Sequence, residues 1–298
     1  MDLQFEPVTL KKQQAYIDYL TRCPQRSSDY SFLNIWGWAT EYGLQWSWED
    51  ELVWIRQTHP QERFWAPMGA WHTINWAERF RRDSAHQSSF IRIPEALAQA
   101  WDRQLGKQAD ISEDRGNWDY IYTVTDLIEL KGNRYHKKKN LVNQFKKKYD
   151  YSYVSMRSEH IDRARAMQED WCTWRDCESV ELLDAENRAI VRILDDWDHL
   201  IGGKGGGLMV DGALVAYTVA EELTENTVVV HFEKGDTAYK GVYQAINQIF
   251  LENSAGGYEF VNREQDLDDD GLRKAKMSYL PVDFVRKYQV TLSGAFGH

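Results

Sequence analysis

Apolar positions in this chain recur at two spacings, every second residue in short runs and every third or fourth in longer ones. That pattern predicts an alternation of strands and helices. Residues 3–8 read as a short strand, and Thr9 can cap a helix running to about Arg22. The spacing of Phe32, Leu33, Ile35, Trp36 and Ala39 predicts a second helix. Alternation over 44–48 and 52–57 predicts a hairpin that turns at 49–51. Residues 64–68 read as a strand, 74–80 as a helix and 90–93 as extended, with Pro94 in the first turn of a helix. A strand over 118–124 and a short run over 126–130 close the first half.

The second half repeats this order. Residues 151–156 read as a strand, and Ser158 caps a helix to about Arg175. Leu182, Leu183, Ile190, Ile193, Leu194 and Trp197 predict a helix within 180–200. The glycine-rich run 202–207, broken only by Lys204, reads as a flexible loop. Residues 207–210 and 214–221 form a hairpin across Asp211-Gly212, a strong turn pair. A strand over 227–233, a helix over 239–252, a strand over 258–262, a short helix over 271–278 and a last strand over 285–291 follow. Each half thus runs strand, helix, helix, antiparallel strands, helix, strand, which predicts an α+β fold of two similar units. A length of 298 residues, at roughly 150 per domain, agrees. The expected division is 1–130, a connecting helix at 131–149, and 150–298.

Composition sharpens this picture in three places. Hydrophobic residues make up 43%, enough for a globular core, and 13 tryptophans supply large anchors for it. The three cysteines, Cys23, Cys172 and Cys177, lack a CxxC pair. They predict a reducing, cytoplasmic setting with neither a disulfide framework nor a zinc site. The first residues lack the apolar core of a secretory signal, and no apolar run approaches the ~20 residues that cross a bilayer. Any membrane contact is therefore expected to be peripheral.

Charge is distributed unevenly. From Lys131 to Lys148 there are eight Lys or Arg and no acid, leaving 28 basic against 46 acidic residues elsewhere, a balance of −18. Such a belt creates a local positive field that the net charge of −10 conceals. Leu141, Val142, Phe145 and Tyr149 give the belt one apolar helical face. Lys139, Lys146 and Lys147 project away from that face, Lys138 lies on it, as does Arg134 if the helix begins that early, and Lys148 sits at its edge. Charges on an apolar face either snorkel to its rim or line a wet cavity. A solvated, strongly charged helix is the plain alternative, but the shortage of acidic neighbours puts a binding surface for an anionic partner slightly ahead: phosphate on tRNA, phospholipid or a nucleotide.

Two stretches carry further chemistry. In 231–250 a strand leads through a turn into a helix, whose first N–H groups could hold a phosphate, with Gly241 permitting close approach. The plain alternative is an ordinary strand-to-helix connection, which this segment alone favours. In 260–281, Asn262, Arg263, Glu264, Gln265 and Asp266 crowd a strand end, and Arg273, Lys274, Lys276 and Tyr279 follow on a short helix. Neighbouring carboxylates and cations shift one another's pKa, which suits proton transfer. A surface ion-pair cluster would look the same. His136, His199 and His231 lack metal-ligand spacing and read as structural.

The stretches LIELKGNRYHKKKNLVNQFKKKY and FVNREQDLDDDGLRKAKMSYLP resemble the family related to the C-terminal domain of phosphatidylglycerol lysyltransferase. The resemblance covers most of the chain. It implies two GNAT-like domains in tandem joined by the basic helix, and transfer of an aminoacyl or acyl group. Aminoacyl-tRNA is the donor it suggests, with a lipid or other small acceptor. Ordinary GNAT enzymes carry a Q/R-x-x-G-x-G/A pyrophosphate loop, but here Ala238 and Tyr243 flank Gly241 at the matching positions. Acetyl-CoA therefore ranks below aminoacyl-tRNA, and a non-catalytic tRNA- or membrane-binding module is the remaining alternative.

By analogy the second domain carries the site. Glu264 or Asp266 is the expected base or orienting carboxylate. Arg273 and Lys276 would hold a donor phosphate or an oxyanion, and Tyr279 would be the acid. Arg134, Lys138 and Lys148 would guide the anionic substrate, with Asn262, Arg263 and Gly241 completing the binding set.

Overall fold

The computed structural model describes residues 3–82 and 88–292. Two compact units emerge, and neither is contiguous in sequence. The first comprises Met1–Asp119, Gln265–Asp270 and Phe284–His298, the second Tyr120–Glu264 and Gly271–Asp283. The observed units therefore differ from the linear division at 130 and 149. The physical reason lies in the sheets.

The first unit is built on an eight-stranded sheet. Its path runs Glu6–Pro7, Gln45–Trp48, Leu52–Gln57, Arg63–Trp65, Ser89–Pro94, Lys287–Leu292, Ala109–Glu113, with Met68–Gly69 paired to Leu52–Gln57 off the path. One pair is parallel, Arg63–Trp65 beside Ser89–Pro94. The last strand of the chain thus completes the sheet of the first unit, between two strands from the first half. Buried indoles fill this unit: Trp46, Trp65, Trp71, Trp76 and Trp101 are all but inaccessible. The Trp101 ring packs edge-on against Phe90 at 4.9 Å and Trp76 at 5.3 Å.

The C-terminal strand is anchored by charge. The Lys287 ammonium donates to Asp119 Oδ1 at 2.6 Å and to Asp29, and Arg92 donates to Asp29 Oδ1 at 2.5 Å. The Ser28 N–H and hydroxyl each reach Asp119 at 2.8 Å. The Asp29, Asp119 and Lys287 side chains have no exposed surface.

The second unit is built on a seven-stranded sheet, in the order Tyr151–Ser155, Gly203–Val210, Ala213–Thr224, Thr227–Gly235, Phe260–Asn262, Asp119–Thr123, Asp283–Val285. It too has a parallel pair, Thr227–Gly235 beside Phe260–Asn262. Here a strand from the first half, Asp119–Thr123, sits next to the parallel pair, where the first unit has Lys287–Leu292. Each unit takes a strand from beyond its linear boundary. The expected α+β architecture of two units is present, with its strands routed across the midpoint.

Two local readings need correction. The glycine run is no loop: Gly203–Val210 is a paired strand. Its glycines are there for space, since a Cβ on Gly206 would lie 2.2 Å from the Tyr153 hydroxyl and one on Gly207 2.4 Å from Leu214 Cδ1. Cys172 and Cys177 are joined in a disulfide, against the expectation of none, while Cys23 is free and buried. Helix Ser158–Arg175 ends at Asp176 in a left-handed turn (φ 51°), which folds the chain back and brings the two Cα atoms to 5.1 Å.

The basic helix, His136–Lys148, belongs to the second unit. It buries Val142 and Phe145 and packs on helix Val242–Ser254. No described helix is long and apolar enough to cross a membrane.

Candidate functional site

Strand Thr227–Gly235 pairs with Phe260–Asn262 over three residues, ending at Val229 opposite Asn262. Past that point the two strands part. The chain from Asn262 turns away through Glu264, which holds a left-handed φ of 54°. Side chains from the parted ends and from helix Val242–Ser254 meet here. Arg263 Nη2 donates to Glu233 Oε1 at 3.2 Å, and Asn247 Nδ2 donates to Glu233 Oε2 at 3.2 Å. The Glu233 side chain is 11% exposed and that of Arg263 16%. Burial raises the Glu233 pKa above its ordinary value, and Arg263, Asn247 and Lys276 only partly oppose it.

Tyr279 stands beside this pair. Its ring lies 5.1 Å from the Arg263 guanidinium and 3.9 Å from the Lys138 ammonium, and its hydroxyl is hydrogen-bonded to Arg263 and Gln244. Burial raises its pKa to about 12, with Arg263 opposing, so at neutral pH it stays protonated. Burial, with Arg263 adding, lowers the Lys138 pKa. Lys138 also donates to Ser278 Oγ at 2.7 Å. Directly across the strand pair from Glu233, the Thr218 hydroxyl is buried without a partner among the described residues.

The expected residues fall into three groups. Arg263, Lys276, Tyr279 and Lys138 are brought together: Lys276 Nζ donates to the Arg263 carbonyl, and the Tyr122 hydroxyl holds the Lys276 carbonyl at 2.9 Å. Half-buried Arg273 lies on the same helix, Asp270–Met277. A second group is engaged in structure. Asn262 Oδ1 accepts the Glu264 N–H at 2.8 Å, and Glu264 Oε1 contacts His231 Nδ1 at 2.7 Å. Glu221 takes the other ring nitrogen at 2.9 Å. Desolvation works against a charged His231, but the two carboxylates prevail and raise its pKa to about 10. It is a cationic structural histidine. Asp266 belongs to the first unit, fully buried against Arg115 at 3.2 Å, and its Oδ1 accepts the Asp268 N–H. The third group is on the surface. Arg134 pairs with Asp126 at 3.5 Å, and exposed Lys148 lies over the Tyr149 ring at 5.0 Å. Lys146, expected to point away, is half-buried and bonds Gln248 at 2.9 Å.

Gly241 does permit a close approach, but by protein. A Cβ there would lie 2.3 Å from the Leu141 carbonyl oxygen of the basic helix. The neighbouring N–H groups are also taken. Ala238 N–H donates to Asp236 Oδ1, Tyr239 N–H to the Asp236 carbonyl, Lys240 N–H to the Tyr149 hydroxyl and Val242 N–H to the Tyr239 carbonyl. A phosphate would need those donors and would meet a carbonyl oxygen instead.

Glu233, Asn247 and Gln244 were not singled out from sequence. Glu233 reads there as one more polar residue near a strand end, and its partner Arg263 comes 30 residues later. The available signal was the alternation in Val230, His231, Phe232, Glu233, which puts two ionisable groups on a buried strand. A surface groove of about 480 Å³ is lined by Asp150, Tyr151, Arg163 and Asp211, and by none of the cluster residues.

The chain is similar over 98% of its length to all of a conserved protein of unknown function from Bacteroides thetaiotaomicron (29% identity, TM-score 0.88). It shares its fold with the C-terminal domain of a putative lysylphosphatidylglycerol synthetase from Agrobacterium fabrum (12% identity, 96% of this chain and 94% of that one, TM-score 0.67). The same holds for L-PGS from Bacillus licheniformis (13%, 94% and 92%, TM-score 0.65). An uncharacterized protein of Mycoplasmoides gallisepticum is 23% identical over 176 residues, 58% of this chain, and the match spans 55% of that relative's length. The family model for phosphatidylglycerol lysyltransferase, C-terminal, matches residues 20–291, and the chain belongs to that family.

Proposed function

We propose that the second unit transfers an aminoacyl group from an aminoacyl-tRNA ester to a hydroxyl or amine of a lipid or other small acceptor. The observation that carries this reading is Glu233, a carboxylate with raised proton affinity held between Arg263 and Asn247 where two strands part. The kinship with lysylphosphatidylglycerol synthetases supports the same class of reaction.

The chemistry asks for a base, a polarised carbonyl and an acid. Glu233 takes the acceptor's proton as the acceptor atom bonds to the ester carbon. Charge moves to the carbonyl oxygen, where Arg263 and the unpartnered Thr218 hydroxyl offer donors. Collapse breaks the ester C–O bond, and the leaving oxygen takes the Tyr279 proton. The proton on Glu233 then restores Tyr279. Lys138 and the basic helix draw in the anionic substrate.

The test is release and transfer of radiolabelled amino acid from a pool of charged tRNAs. Glu233→Gln is expected to lose about 100-fold or more in rate with its circular dichroism unchanged, and full activity in that variant would refute the role. The occupied N–H groups around Gly241 favour a donor other than CoA, so calorimetry with acetyl-CoA is expected to show no saturable binding.

A further inference from the structure

Strand pairing slips once beside the candidate site. Between Ala213–Thr224 and Thr227–Gly235, Ala220 faces Val230 and Val219 faces Phe232, so His231 is an extra residue in a β-bulge. Paired residues project to the same side of a sheet, and successive residues alternate. Across the bulge that alternation inverts. Val230 and Phe232 lie on opposite faces, and Glu233, opposite Thr218, returns to the face of Val230. Without the extra residue, Lys234 would take that face instead. The contacts agree. Glu233 meets Asn247 of helix Val242–Ser254. Lys234 meets Glu186 of helix Glu181–Asp195 on the other side, with its ammonium 3.8 Å from the Trp171 ring centre.

The neighbouring strand obeys the same parity. Asn262 faces Val229, so Arg263 projects with Val230 and Glu233. Glu221 also faces Val229, on the opposite side of the sheet. There the buried His231 ring joins Glu221 at 2.9 Å to Glu264 at 2.7 Å. The two carboxylates keep the imidazole charged at neutral pH, so both ring nitrogens donate.

Glu264 needs that hold. Its φ of 54° is a left-handed conformation that strains a glutamate. Tyr120 pairs with the backbone from one edge: the Arg263 N–H donates to the Tyr120 carbonyl at 3.0 Å, and the Tyr120 N–H donates to the Glu264 carbonyl at 3.2 Å. His231 grips the Glu264 side chain from the other edge, where Thr227–Gly235 and Phe260–Asn262 part. We infer that His231 is a positioning residue: its clamp on Glu221 and Glu264 fixes the bulge and the Glu264 turn, and so presents Glu233 and Arg263 together on the opposite face. Its use in transfer rests on the Glu233 reading; the clamp itself does not.

The experiment follows the Arg263 guanidinium by NMR in the full chain without substrate, its N–H signals assigned by their loss in Arg263→Lys. A guanidinium held against a buried carboxylate exchanges its protons slowly with water. In His231→Gln that exchange is expected to accelerate at least about tenfold, and in Glu264→Gln, which keeps a hydrogen bond but loses the charge, by about threefold. Tyr217→Phe removes the bond to Gln168 on the Lys234 side of the same strand pair. It is expected to lower the melting temperature and leave the Arg263 signals unchanged. In the transfer assay, kcat in His231→Gln should fall about tenfold or more at unchanged KM. Unchanged exchange in both His231→Gln and Glu264→Gln would overturn the inference. So would equal acceleration in Tyr217→Phe, which would make His231 an ordinary structural contact. If His231→Gln does not fold, Glu264→Gln decides alone. Accelerated exchange in the variants of a chain that transfers nothing would sink the transfer reading and leave the clamp standing. Transfer with unchanged exchange would do the reverse.

Discussion

The two units each hold a buried cluster of opposite charges, and the clusters differ in closure. In the first unit, Asp29 and Asp119 face Lys287 and Arg92, two anions against two cations, and the Lys287 and aspartate side chains are wholly covered. Burial works against every one of these charges. Even so, Lys287 and Arg92 hold Asp29 below its ordinary pKa, and the two aspartates raise that of Lys287. In the second unit, Glu233, Arg263 and Tyr279 keep some exposed surface, and burial leaves Glu233 with a raised pKa. A sealed, balanced cluster fastens strands together. A cluster with access and an under-compensated carboxylate is poised to move a proton.

Substitutions should separate these roles. The largest effect is expected from Lys287→Met, which leaves two aspartates buried without their shared cation. Urea unfolding should show a loss of about 3–5 kcal/mol, and a loss under about 1 kcal/mol would mean the cluster is not what anchors the last strand. Next comes Glu233→Gln. Its transfer rate should fall by about 100-fold, roughly 2.7 kcal/mol in the barrier, with a stability change much smaller than that of Lys287→Met.

His231 gives a third contrast, read by pH. Its folded pKa of about 10 lies above the ordinary 6.5. Its ion pairs with Glu221 and Glu264 therefore stabilise the fold fully below about 6.5, and that contribution fades as pH rises toward 10. Unfolding free energy should decline with rising pH across that window, and His231→Gln should flatten the slope. A slope unchanged in the variant would place the titration elsewhere. The smallest effect is expected from Tyr279→Phe, about tenfold in rate, with Lys138 still seated over the ring.

The elements with local causes were legible in the sequence. The Asp211-Gly212 hairpin, the helix from Ser158 to Arg175 and the apolar face of the basic helix all follow from nearest-neighbour chemistry. Lys138 was readable only in part: a lysine on an apolar face was expected to snorkel to its rim or line a wet cavity, and it lies over the Tyr279 ring. What escaped was decided by distant partners. The linear division failed to anticipate Lys287–Leu292 because strand pairing with Ser89–Pro94 leaves no local trace. Gly241 was read as a point of close approach for a phosphate, and sequence could not say that the Leu141 carbonyl lies there. The glycines of 203–207 looked like flexibility and are instead room for Tyr153, Met156 and Leu214. Asp266 and Arg273 looked like partners because they are close in sequence, yet they belong to different compact units.

The most direct measurement is the pH–rate profile of aminoacyl transfer by the wild type and by Glu233→Gln. A buried general base at Glu233 predicts a wild-type rate that climbs with pH through a midpoint above the ordinary carboxylate range, and a slow variant in which that climb is gone. The same midpoint in both proteins, at comparable rates, would show that the reaction takes its proton somewhere else.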